Sequence, residues 1–265
     1  MASPVPAATI DAARRALVAA GITGPHQSHP RGDNLSKIRK LVDGNSGMAF
    51  GMSGMTAYSV AQVLQFVSDT TGCSPDASDD TVEDAIDPAR TVAGIIAAAE
   101  RLVSYARRGA GVVFATGHPT GILLHNLRVS DAYHRAGGTV LRPAAERSFP
   151  FEDAQARMCY VGGVGCLARG SSLEHTHSPI AMIAALEGGS PPDAVFADHG
   201  FAGAAIEAGV PTIAIMDIND PALAVATAED KDVLVIPMDD NRPPHLYEPS
   251  WRLFEEILSG ASLTG

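Results

Sequence analysis

The sequence predicts an α/β protein: a mostly parallel sheet with helices on both faces, preceded by a helical N-terminal part. Three observations predict it. From Gly111 onward, apolar runs of strand length alternate with helical patterns, as in a parallel sheet covered on both sides. Up to about residue 109 the readable periods are all helical. Finally, 46% of the 265 residues are hydrophobic, enough apolar material for a buried core and too much for wholesale disorder. The expected division is a cap-like helical part over residues 1–109 and a Rossmann-like α/β part over 110–265.

In the first part, Ala7–Ala20 reads as a short amphipathic helix ended by Gly21. Asn34–Val42 starts at an Asn cap and stops near Gly44. Thr56–Thr71 carries Val60, Val63, Leu64 and Val67 at helical spacing. Pro88–Arg108 opens on Asp87-Pro88, a cap followed by proline at the first helical position, and ends at Gly109. No strand is expected here. In the second part, strands are expected over 111–117, 138–144, 193–200, 211–217 and 232–240, with a strand or strand-turn unit over 158–168. Helices are expected over 118–138, 178–189, 201–210, 220–230 and 248–260.

The formal net charge of −11 repels phosphate backbones and argues against nucleic-acid binding. A small anionic substrate stays compatible, because the field in a cleft can oppose the net charge. Cys73, Cys159 and Cys166 are odd in number and lack CxxC spacing. They suit a reducing compartment better than a disulfide framework or a zinc knuckle. The first residues lack the basic start and apolar run of a signal peptide, and no apolar stretch reaches the ~18–20 residues of a membrane span. A cytoplasmic protein without a membrane partner is expected; a homo-oligomer is compatible with everything above.

In an open parallel sheet, ligands bind beyond the carboxyl ends of the strands, and ionisable residues cluster there. After the first strand comes TGHPTG, Thr116–Gly121. Its glycines permit close backbone approach, and Pro119 suits a first helical turn, so Thr116, Gly117 and Thr120 are candidates to hold an anion beside His118. Neither a Walker loop nor GxGxxG is present. In EHTHSP, Glu174–Pro179, His175 and His177 project to one side of extended backbone, and Ser178-Pro179 reads as a cap and first helical residue. Neutral, these imidazoles could ligate a metal; protonated, they could hold a phosphate. Asp198 and Asp217 each end an apolar strand and, with Asn219, supply hard oxygen ligands for a divalent cation such as Mg²⁺. His199 follows Asp198. Asp220-Pro221 reads as an ordinary N-cap, Asp239 and Asp240 as the acidic end of a strand, and His26, His29, His125, His134 and His245 as ordinary. In the basic cluster RGDNLSKIRK, a solvated helix face competes with a cap that brings Arg31, Asn34 and Lys40 to a phosphate.

Taken together and in order, NLSxxRKL at 34–41, ATGHPTG at 115–121, HTHSP at 175–179, ADHGFAG at 197–203 and DINDPAL at 217–223 resemble a family of actinobacterial proteins labelled phosphatases. The resemblance covers about residues 30–250. It implies phosphomonoester hydrolysis and carries site roles onto Asn34, Lys40, Thr116, Gly117, His118, His175, His177, Asp198, His199, Asp217 and Asn219. Some relatives act on phosphorylated nucleosides of antibiotic biosynthesis, such as octosyl acid phosphate, which implies a substrate class. The chain departs from the family pattern at Gly47–Thr56 and at Leu141-Arg142-Pro143, which bears on substrate identity. A looser similarity, at fold level, is to metal-dependent damage-control phosphatases.

The expected function is therefore a phosphomonoesterase for a small phosphorylated metabolite. Thr116, Gly117, Thr120, Ser178, Asn34 and Lys40 would hold the phosphate, and Asp198, Asp217 and Asn219 the cation. His118, His175, His177 or His199, with Asp198, would handle protons; in a variant, one histidine attacks phosphorus. The competing classes are a sugar-phosphate isomerase or lyase, and a non-catalytic sensor of a phosphorylated metabolite.

Overall fold

The computed structural model describes residues 5–78, 80–187 and 189–262. The outer ends of the two expected parts, 1–4 and 263–265, and Gly188 in the expected helix 178–189, lie outside the described residues. The architecture is a mixed nine-stranded sheet between helical layers. Strands β1 (Gly24–Pro25) and β2 (Ala85–Ile86) make a separate antiparallel bridge. In the main sheet, β3 (Gly111–Ala115) pairs in parallel with β4 (Thr139–Val140) and with β7 (Val164–Arg169). β9 (Ala194–Ala197), β10 (Thr212–Met216) and β11 (Val233–Pro237) continue the parallel set beyond β3. On the other side, β5 (Ser148–Phe151) and β6 (Ala154–Val161) extend β7 as an antiparallel meander, and β8 (Ser172–Leu173) turns back along β7.

The parallel strands alternate strictly between two cores. Phe114, Phe196, Ile213 and Ile215 face one core, with α1 (Ala7–Ala19), α5 (Pro88–Arg107), α6 (Leu123–Arg135) and α10 (Glu248–Ser262). Val113, Ala115, Ala197, Ala214 and Met216 face the other. That second side is covered by α2 (Arg31–Val42), α4 (Val60–Thr71), α7 (Ile180–Leu186), α8 (His199–Glu207) and α9 (Pro221–Ala228), with the short α3 (Ser46–Ala49). Its sheet residues are small. The helices that meet them, GFAGAA in α8 and PALAVATA in α9, are also small and almost wholly buried, so they approach the sheet closely. Helices from residues 1–109 therefore take part in both cores.

Local signals explain the helix starts. Ser59 and Gln62 form a capping box on α4. Asp87 caps α5, with Pro88 at its first position. The start of α2 is held differently. Buried Arg31 bonds the Asp84 carboxylate at 2.5 Å, and Asn34 bonds the other Asp84 oxygen at 2.9 Å. Arg31 also donates to the carbonyls of Ser74 and Asp76. Among the described residues no helix is long and apolar enough to cross a membrane.

The structure departs from the sequence expectations in several places, among them α3, β5 and β8, where no element was expected. Thr116–Gly121 does not begin a helix: α6 starts at Leu123, and a turn closed by Gly121 and Ile122 amides on the His118 carbonyl precedes it. The 158–168 unit is a full hairpin, turned at Gly162 and Gly163, both at positive φ. The β1–β2 bridge lies where only helices were expected, because such two-residue strands carry no period to read.

Candidate active site

The parallel strands β3, β9, β10 and β11 end on one edge of the sheet. There they deliver Thr116–His118, Asp198–His199, Asp217–Asp220 and Asp239–Asp240. After β8 the chain runs back toward the end of β3, where the Thr176 amide bonds the Gly117 carbonyl. This return sets His175 and His177 over the same edge.

The imidazoles meet face to face. His118 and His175 stack at 4.4 Å between centroids, and His177 lies 4.6 Å from His199. His199 is also 5.7 Å from His118 and 5.5 Å from His175. Glycines permit this crossing. A Cβ on Gly117 would come within 2.3 Å of the Thr176 carbonyl oxygen, and one on Gly200 within 2.3 Å of the His177 carbonyl oxygen. His199 itself sits at φ +44°, a left-handed conformation uncommon outside glycine and frequent at functional sites. Phe50, also left-handed at φ +54°, packs its ring 5.3 Å from His177 and 5.5 Å from His199.

Beneath the imidazoles lies a buried acidic layer. Asp198 accepts from the Thr116 hydroxyl and the Gly117 amide. Asp240 Oδ2 is 3.1 Å from His199 Nε2, and Asp240 Oδ1 is 3.6 Å from His118 Nδ1. Asp220 Oδ1 is 3.6 Å from His199 Nε2. Burial opposes charge on His199, yet Asp220, Asp240 and Asp198 outweigh it and hold the imidazole protonated, up to about 10. His118 moves upward by the same balance with Asp240. Burial and the neighbouring cations push His175 down to about 4 and His177 to about 3. The cluster thus sets two imidazoles pushed toward the charged form beside two pushed toward the neutral form.

Asp217 heads a second group. His26 Nδ1 donates to the His29 carbonyl at 2.9 Å, and its Nε2 meets Asp217 Oδ1 at 2.7 Å. With one nitrogen on a carbonyl and the other on a carboxylate, the ring is imidazolium. Burial alone would discharge it, but Asp217 and Asp239 lift it to about 9. A folded pKa near 9 against 6.5 unfolded stabilises fully below pH 6.5, and the gain is lost as the pH rises through 9. His26→Gln is therefore expected to flatten the fall in Tm between pH 6.5 and 9, measured with EDTA present. An unchanged slope would show that His26 is not charged in the fold.

Among the sequence candidates, His118, His175, His177, Asp198 and His199 come together. Asp217 and Asn219 lie close by, but the Asn219 amide bonds Asp217 Oδ2 and the Ile218 amide bonds Asp217 Oδ1. Others need correction. The donors of Thr116 and Gly117 are engaged by Asp198 rather than free for an oxyanion. Thr120 and Lys40 are exposed. Asn34 commits its amide to Asp84. Ser178 bonds the Ile180 amide at the start of α7, a helix of 7 residues. Asp220, read as a plain cap, makes no cap hydrogen bond to α9 and belongs to the site. So do Asp240 and His26. Asp240 obeys the strand-end rule that exposed the others; His26 has no local signal, since its partner lies 191 residues away. Concavity alone points elsewhere: a cavity of about 480 Å³ between α1 and the start of α5, lined by Arg14, Val18, Asp87 and Pro88, holds no imidazole.

Several buried polar atoms here have no hydrogen-bond partner among the described residues: His118 Nδ1, His199 Nδ1, Asp220 Oδ1 and Asp240 Oδ2. Buried polar atoms are rarely left so. His199, Asp220 and Asp240 offer ligand atoms within 4.8 Å of one another, as do His118, His175 and His199, and His26, Asp217 and Asp239. These buried His/Asp groups could hold a metal ion.

Comparison with known proteins identifies the family. A profile described as Phosphatase matches residues 8–264. Phosphatase SCO2771 of Streptomyces coelicolor is 38% identical over 231 residues, covering 83% of this chain and 85% of the relative. Matched along nearly its whole length, the chain belongs to the Phosphatase family.

Proposed function

We propose that the chain hydrolyses the phosphomonoester of a small phosphorylated metabolite, a sugar or nucleoside phosphate, at the imidazole–carboxylate cluster. The observation that carries this reading is the convergence of His118, His175, His177 and His199 above Asp198, Asp220 and Asp240. The family assignment supports the reaction class. The acidic chain disfavours a nucleic-acid substrate. Three free cysteines suit a reducing cytoplasm.

A divalent cation fits His199, Asp220 and Asp240, where the imidazole Nε2 lies 3.6 Å from Asp220 Oδ1 and 3.1 Å from Asp240 Oδ2, two carboxylate oxygens with no hydrogen-bond partner among the described residues. We favour it over the Asp198, Asp217 and Asn219 set, in which both carboxylates already accept hydrogen bonds on each oxygen. One imidazole with two carboxylates suits Mn²⁺ better than Mg²⁺, which prefers oxygen and water. Bound there, such an ion supplies charge neutralisation at the phosphoryl group and a more acidic water. It competes with the proton on His199, because ligating imidazole must be neutral.

The chain's own residues do the rest. His175 is exposed, neutral and stacked on His118, so it meets the incoming phosphoryl group first. His118, pushed upward by the Asp240 carboxylate beside it, is placed to give a proton to the leaving alkoxide. Phe50 covers one side of His177 and His199 and excludes water there.

The test is phosphate release from a panel of sugar, nucleoside and amino-acid phosphates, with Mn²⁺, with Mg²⁺ and with excess EDTA. Release that needs Mn²⁺ and stops with EDTA is expected. Full activity in EDTA would remove the cation, and turnover of a sugar phosphate without phosphate release would turn the reading toward an isomerase.

A further inference from the structure

We propose that His118, His175 and His199 form a second cation site, which takes a nitrogen-preferring ion such as Zn²⁺ and, when filled, closes the entrance to the phosphoryl site. The ion site stands on geometry; its effect on turnover rests on the phosphatase reading above. Each of the three rings brings a nitrogen to within 4.8 Å of the other two. Two of the rings are buried, His118 at 4% exposure and His199 at 2%. In both, Nδ1 has no hydrogen-bond partner among the described residues. Asp240 Oδ1 stands 3.6 Å from the first and Asp198 Oδ1 3.9 Å from the second, too far for a hydrogen bond. Buried polar atoms are rarely left so, and a metal ion satisfies them, since neutral imidazole is a common ligand. His175 completes the set from outside. It is exposed, so an ion has a way in, and the Thr176 amide on the Gly117 carbonyl holds its segment against the one that carries His118.

The donor set decides which ion binds. Three imidazoles with no carboxylate among them suit Zn²⁺, for which three protein ligands and one open position are a usual arrangement. The other face of His199 offers two carboxylates, Asp220 and Asp240, and so favours an ion that prefers oxygen. The two faces sort cations, and they share His199. An ion on the imidazole face displaces the protons of His118 and His199. His175 has none to lose, because burial and its neighbours push it down to about 4. The same rings serve the incoming substrate: His175 meets the phosphoryl group, and His118 gives the proton. A cation on their nitrogens leaves His118 without a proton to give and occupies the approach.

The experiment measures Zn²⁺ binding to metal-free protein by competition with a chromophoric chelator, for wild type, His175→Asn and Asp220→Asn. Asp220 belongs to the carboxylate face and not to the imidazole set. H175N is expected to weaken Zn²⁺ binding about a hundredfold, since losing even a group that only orients a ligand costs about 10–100-fold. D220N binds Zn²⁺ within about threefold of wild type. His175 is exposed, so H175N keeps the circular-dichroism spectrum of wild type. In turnover with excess Mn²⁺, Zn²⁺ inhibits wild type, and half-inhibition of H175N, measured against its own uninhibited rate, needs about tenfold more Zn²⁺. H175N binding Zn²⁺ as wild type does would overturn the site. So would D220N losing as much affinity as H175N, which places the zinc on the carboxylate face, or a wild type that binds no Zn²⁺. Zn²⁺ that binds as expected yet raises turnover would overturn the closure. Zn²⁺ bound as expected by a protein that hydrolyses no ester upholds the ion site and removes the phosphatase reading, and the closure with it.

Discussion

Replacing His199 by Asn is expected to lower kcat/KM about a thousandfold while the protein stays folded. Three imidazoles and three carboxylates surround this residue. Its ring lies 4.6 Å from His177 and within 6 Å of His118 and His175. Its Nε2 is 3.1 Å from Asp240 and 3.6 Å from Asp220. A bound cation would take this imidazole as a ligand, and proton transfer by His118 would take place beside it. Asparagine is the informative substitution because it tolerates the left-handed backbone at φ +44°. Asp220 can relieve the lost positive charge by taking a proton, since burial already pushes it up to about 7. A circular-dichroism spectrum like that of wild type, with activity lost, is the expected pair of results. His134→Asn, on an exposed position of α6, is expected to leave activity within about twofold. Activity of H199N within tenfold of wild type would place the chemistry elsewhere.

Much of the scaffold was legible because parallel strands buried on both faces leave continuous apolar runs. GVVFA, AVFA and TIAIM each end where a polar residue begins. The end of each run marks the edge of the sheet, so His118, Asp198, His199 and Asp217 could be placed there before any coordinates. The same rule covers Asp220 and Asp240, yet both were readable as commonplace features. An Asp before Pro looks like a cap whether or not its side chain reaches an amide of the following helix, and only the geometry of α9 shows that this one accepts from the Asp217 amide instead. The anion cradle failed for a related reason. Glycines and a proline forecast a tight turn correctly, but composition cannot show which amides the turn itself consumes. In the fold, Gly117 serves Asp198, and Gly121 and Ile122 serve His118. His26 was out of reach altogether, since no periodicity links a loop histidine to a carboxylate 191 residues downstream. Lys37 and Lys40 illustrate a finer limit. Both belong to one basic run, and only the packing of α2 decides which is half-buried and which is exposed.

Gly200→Ala is expected to damage stability and activity together, and Gly32→Ala to do neither. A Cβ on Gly200 would stand 2.3 Å from the His177 carbonyl oxygen and 2.5 Å from the Ser178 carbonyl carbon and oxygen. All three are backbone atoms, so no side-chain rotation relieves the overlap, and α8 must move away from the 175–178 segment. Such overpacking costs about 3 kcal/mol, which lowers Tm by about 6–12 °C in a chain of this size. The same movement draws His199 away from His177, and a displacement of about 1 Å in a reacting group can cost about a hundredfold in rate. Gly32 meets nothing within 4 Å and lies in α2. Alanine there adds helix propensity and restricts the unfolded chain, a gain of about 0.5–1 kcal/mol. Thermal melts and kcat/KM of both variants measure the contrast. If G200A melted with wild type and kept its activity, the close crossing of the two histidine-bearing segments would be wrong, and with it the basis for joining His177 and His199 in one site.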